Sequence, residues 1–201
     1  MSKTAIILLS IFGGFLVLAL VIGLWLAGQY NTMVTLNETV DNAWSKVQSD
    51  YQRRSDLIPN LVSTVKGFAG QEQTVLLGVT EARSRVGQMN VSKDVLDDPQ
   101  AFKRFSQAQS ELGGALSRLL VVSENYPQLK SDANFLDLQA QLEGTENRIK
   151  KSRDDFNNTV QAYNTAIKTF PKVLLAGLFG FNPKQYFEAS EGSENAPKVE
   201  F

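Results

Sequence analysis

The residues with the most chemical potential sit in one tract, Arg53-Arg54-Ser55-Asp56-Leu57-Ile58-Pro59-Asn60-Leu61-Val62. Two adjacent guanidinium forks suit an anionic ligand, such as a phosphate or a lipid headgroup. The competing reading is an interhelical ion pair. Glu143 and Glu146, three positions apart, put two carboxylates on one helical face. Arg54 falls between Tyr51 and Ile58 in the apolar spacing, where a buried arginine needs such a partner. The favoured expectation pairs Arg53 and Arg54 with Glu143 and Glu146. The alternative is a ligand-binding module or enzyme whose polar pocket these four residues line.

Other constellations are weaker. Two-metal carboxylate bundles also use histidine, and the chain has none, so no metal is expected. Asn157, Asn158, Tyr163 and Asn164 have the groups to hydrogen-bond a ligand, yet solvated helix surface is the expectation for them. The chain lacks cysteine too, which removes thiol nucleophiles and disulfides. Neither a glycine-rich phosphate loop nor an activated-serine motif is present. A protein that is not an enzyme and holds no cofactor is expected. The 20 Lys and Arg are intermixed with 21 Asp and Glu, without the basic stripe that nucleic-acid binding requires.

The element that must position everything else comes first in the chain. No charged residue lies between Lys3 and Glu38, and in residues 5–28 only Ser10 is polar. A helix over those 24 residues is about 36 Å long, enough to cross a hydrocarbon core of about 30 Å. It is too long for a secretory signal core, and bulky Trp25 or Leu26 falls where signal peptidase needs a small residue. An uncleaved signal anchor is expected. Lys3 precedes the span while residues 29–45 carry no Lys or Arg, which places the amino terminus in the cytoplasm and the bulk outside. Small residues recur four apart as Ser10/Gly14 and Ala19/Gly23/Ala27. That is the pattern through which membrane helices approach closely, so a homo-oligomer contact is expected there.

Beyond the span, Met33, Leu36, Val40, Trp44, Val47 and Tyr51 begin a helical apolar pattern that reaches Phe68. It predicts a helix over about 30–66, continuous with the span and kinked at Pro59. Gly67 and Gly70 mark its end. A second helix is expected over 71–88, a loop over 89–99, and a third helix over about 99–125 capped by Asp97-Asp98-Pro99. A fourth opens at Ser131-Asp132 and ends before Phe170-Pro171. The predicted fold is all-α: an N-terminal transmembrane helix (1–28) followed by an antiparallel up-and-down four-helix bundle (29–170). Equal lengths pair the first helix with the fourth, which returns the chain to the membrane.

Residues 171–187 belong to the most apolar stretch outside the span, though glycine and proline break it and it is too short to cross a bilayer. A membrane-surface contact through Leu174, Leu175, Leu178, Phe179 and Phe181 fits it. So does a cap over the bundle's open end. The acidic tail 188–201 is expected to be disordered.

The tracts RRSDLIPNLV, SENYPQLKSDANFLDLQAQLEGTENRI and YNTAIKTFP, after a span and a YNTMV start, resemble the LemA family of bacterial membrane proteins over nearly the whole chain. The resemblance implies a helical bundle on a single amino-terminal anchor, and no agreed catalytic residues. A non-enzymatic scaffold of the bacterial inner membrane follows as the expectation, with the lipid bilayer, further copies of itself and other membrane proteins as partners.

Overall fold

From Gln29 to Lys66 the chain has no glycine, so nothing breaks the helix between the apolar span and the amphipathic stretch that follows. In the computed structural model, which describes residues 3–70, 72–89 and 92–188, these form one helix, α1 (Lys3–Phe68), of 66 residues, about 99 Å long. Its first part is apolar and not covered by the rest of the protein, with Leu9, Phe15, Leu20 and Leu24 all more than half exposed. The second part builds the core.

Pro59 lies inside α1, and the helix passes through it unbroken. Proline has no N–H for the carbonyl four residues back. That carbonyl, Ser55 O, instead accepts from Nε of Arg83 at 3.0 Å. Arg83→Ala is expected to cost about 0.5–1.5 kcal/mol, and Pro59→Ala, which restores the backbone donor, should make Arg83 dispensable. A double-mutant cycle by denaturant unfolding measures the coupling; additive losses would mean that Arg83 does not serve this carbonyl.

The other elements are α2 (Gln73–Gly87), a 3-10 turn (Lys93–Leu96), α3 (Pro99–Ser123), α4 (Pro127–Lys130), α5 (Ala133–Lys168) and α6 (Lys172–Phe179). Among the described residues there is no strand. Asp98 caps α3 by accepting from Gln100 N and Ala101 N, and Asp132 caps α5 by accepting from Phe135 N. Pairs such as Asp50–Arg148 and Arg54–Glu146 set α5 antiparallel to α1. Arg85–Glu111 and Glu72–Tyr126 do the same for α2 and α3.

The protein is less regular than a simple four-helix bundle, because α2 has only 15 residues against 36 in α5, about 22 Å against 54 Å. Away from the span, α1, α2, α3 and α5 share a core around Ile58, Leu61, Val79, Leu112, Leu119 and Phe135. Near the span α2 is missing from the core. There Trp44, Phe102, Phe105, Phe156 and Tyr163 pack with Val95 and Leu96 of the 3-10 turn and with Phe187 from beyond α6. The expected plain loop at 89–99 therefore contributes core side chains. Of the expected tail 188–201, residues 189–201 lie outside those described.

Candidate functional site

Arg54 stands at the boundary of the two cores, in a seam where Val40, Trp44, Val47, Tyr51, Ile58 and Leu61 all face inward. Its side chain is 4% exposed, that of Glu146 44%. Nη1 donates to Glu146 Oε1 at 3.0 Å and Oε2 at 3.4 Å. Nη2 donates to Gln109 O at 3.1 Å and also to Gln109 Oε1. The Tyr51 ring centroid lies 5.0 Å from the guanidinium carbon, within cation–π range, and burial raises the Tyr51 phenol pKa.

The four charged residues expected to act together do not converge. Arg53 is exposed, and Glu143 accepts from Gln139 in its own helix at 3.1 Å. A groove of about 390 Å³ beside Glu146 is lined by Gly113, Leu116, Leu120, Leu142 and both glutamates among others, with no basic side chain. Two carboxylates with no basic side chain in the lining repel an anion rather than hold it. Gln109, which completes the Arg54 layer, went unremarked in the sequence. The signal was there: it occupies a seam position between Phe105 and Leu112.

The expectation of a solvated asparagine surface on α5 is overturned. Of Asn157, Asn158 and Asn164, only Asn158 is exposed. Asn164 donates to Lys184 O and accepts from Lys184 N, both at 2.9 Å. Asn157 makes the same two bonds to Phe187, again at 2.9 Å. Tyr163 donates to Asn182 O at 3.1 Å. Burial first, then the Asp97 and Asp41 charges, push its phenol pKa up to about 12, so it stays a neutral donor. Residues 181–188 thus form an extended strap lying antiparallel along α5. The register fits the two rises: seven helical residues cover about 10.5 Å and three extended ones about 10 Å.

The strap adds charge and ring contacts of its own. Lys184, with 6% of its side chain exposed, meets Asp97 Oδ1 at 2.7 Å. Burial raises the pKa of the nearby Asp41, against the pull of Lys184 and Lys93. Phe187 packs at 4.9 Å from Phe102 and 5.5 Å from Phe156, with Arg153 4.6 Å above its ring. Gly180, in the left-handed region at φ 76°, turns the chain from α6 into the strap.

The five apolar residues singled out near the carboxyl end divide. Leu175 and Phe181 pack against the core, while Leu174, Leu178 and Phe179 are exposed. In the span, Gly14 and Gly23 have no side chain or distant backbone near them; Ala19 and Ala27 are also exposed, as is Ser10. Among the described residues no three carboxylates converge to hold a metal ion.

The fold therefore defines an all-helical protein whose first helix is long and apolar enough to cross a membrane and in which buried Arg54, Gln109, Asn164 and Lys184 tie one element to another. The chain belongs to the LemA family, whose model matches residues 43–201, from within α1 to the carboxyl end. It is 28% identical over 177 residues to magnetosome proteins MamQ 1 and MamQ 2 of Paramagnetospirillum magneticum, covering 80% of this chain and 65% of theirs. Magnetosome protein MamQ of Magnetospirillum gryphiswaldense is 29% identical over 176 residues, 79% of this chain and 64% of that one. Protein LemA of Metamycoplasma hominis is 26% identical over 164 residues, 82% of this chain and 71% of its own. The chain thus spans about 65% of the length of the magnetosome relatives.

Proposed function

We propose that the protein is a non-enzymatic scaffold of the bacterial inner membrane, a single-pass protein whose helical bundle stands on the outer side and which associates with copies of itself. The observation that carries this reading is the continuity of α1: the apolar span and the core-building half are one helix of 66 residues. A domain joined to its anchor without a hinge holds a fixed posture on the membrane, as a scaffold needs and a tethered enzyme does not. Orientation is supported by Lys3 before the span and the lack of Lys or Arg over 29–45. Self-association is supported by Ser10/Gly14 and Ala19/Gly23/Ala27, whose small side chains allow close helix approach. Against a polar pocket, the Arg54 donors Nη1 and Nη2 are already engaged by Glu146 and Gln109.

One set of membranes tests both parts. With a reporter fused after Phe201, activity is expected only outside the cytoplasm; activity confined to the cytoplasm would reverse the orientation. With Gly23→Cys in this cysteine-free chain, mild oxidation is expected to give disulfide-linked dimers. A chain that stays monomeric with cysteine at position 23, and again at 14 and 19, removes the proposed contact.

A further inference from the structure

We propose that α6 lays its exposed apolar face on the anionic surface of the bilayer that α1 crosses, so that each copy touches lipid twice. The inference rests on α1 being the membrane span. It begins with a surface that water should not see. Phe170 is 81% exposed, Leu174 68%, Leu178 76% and Phe179 51%, while the opposite side of α6 buries Ala176 against the core. Leu174 and Leu178 lie one turn apart and so share a face.

Position selects the occupant. Tyr30, two residues past the apolar run, makes edge contacts with Phe179 and Phe181 at 5.0 and 5.7 Å. A tyrosine at the exit of a span sits at headgroup level, and it brings α6 to that level. At eight residues, about 12 Å, α6 is too short to enter as a span and lies in the interface instead.

Charge selects the lipid. No Asp or Glu occurs between Asp155 and Glu188. Lys184 is taken by Asp97, which leaves Lys168 and Lys172 flanking the apolar face. Basic residues rimming an interfacial apolar surface favour anionic headgroups. The same rim disfavours a second copy as the cover, since a two-fold contact through α6 would bring the lysines of both copies together.

The test uses the full chain in vesicles of phosphatidylcholine, with or without phosphatidylglycerol. Single cysteines replace Leu178, Leu77 or Leu20, all more than half exposed, and carry an environment-sensitive fluorophore. The label at 178 is expected to lose several-fold more emission to a headgroup-depth lipid quencher than the label at 77, on the far part of the bundle. Lys168→Gln and Lys172→Gln should each lower the contact equilibrium about five-fold in phosphatidylglycerol vesicles, and leave it unchanged in phosphatidylcholine alone. Equal quenching at 178 and 77 overturns the contact. So does a 178 label shielded from aqueous iodide yet untouched by the lipid quencher, the mark of a protein cover. Lysine variants without effect in phosphatidylglycerol vesicles overturn the anionic assignment. The label at 20 reads the span separately: only its failure to meet an acyl-chain quencher would unseat the membrane anchor itself.

Discussion

Phe187→Ala is expected to lower the unfolding free energy by about 3–5 kcal/mol, the cost of emptying a fully packed aromatic site, even though the residue lies outside every helix. Phe187 is 6% exposed and within ring-contact distance of Trp44, Phe102 and Phe156. Because α2 is too short to cover the part of the core near the span, nothing else is placed to fill that volume. Asn157→Ala should act on the same element by a different route, leaving Phe187 N and O without partners at about 1–3 kcal/mol for each group kept from water. Tyr186, 41% exposed, is the control, and alanine there should change stability by less than about 0.5 kcal/mol. Denaturant unfolding of the full chain in mild detergent, followed by circular dichroism, provides the comparison. If Phe187→Ala matches the Tyr186 control, the strap is an ornament on a core that closes without it.

The second large effect concerns the Arg54 layer, where the two partners should behave unequally. Glu146→Ala leaves a guanidinium that is 4% exposed with no carboxylate to balance it, only the Gln109 oxygens and the Tyr51 ring, and an uncompensated buried charge costs about 3–5 kcal/mol. Arg54→Met strands no buried carboxylate, because the Glu146 side chain is 44% exposed and water can take it. Its cost comes from the oxygens of Gln109, about 1–3 kcal/mol for each one left unsatisfied. Glu146→Ala should therefore cost much less in the Arg54→Met background than alone. A double-mutant cycle gives the coupling; a value within about 0.5 kcal/mol of zero would show that the two charges act independently. Arg54 also occupies a position seven residues from Val47 and from Leu61 in the seam. A charged group there penalises slipped pairings of α1 and α5, as a single polar seam residue does in coiled coils.

Much of this was legible in the chain. Apolar recurrence at three and four residues, from Val40 through Val65 and from Phe135 through Ile167, is a property of each helix alone. It identified the four long helices, though not the short α4, α6 or the 3-10 turn, and with Asp98 and Asp132 as caps it located the starts of α3 and α5. The matching lengths of the second half of α1 and of α5 gave the register that brings Arg54 to Glu146. What stayed hidden shares one physical cause. Asn157 and Asn164 read as an outer polar face because their partners, Phe187 and Lys184, lie 30 and 20 residues away in a segment with no periodicity of its own. The Arg83 bond to the carbonyl that Pro59 leaves open was equally silent, since it spans a turn between helices. Local pattern determined that this protein is helical, about how far its four long helices run and which side of each turns inward. Only tertiary structure decided what fills the space α2 leaves uncovered, because a side chain's periodicity belongs to its own helix, whereas its partner depends on where the rest of the chain comes to lie.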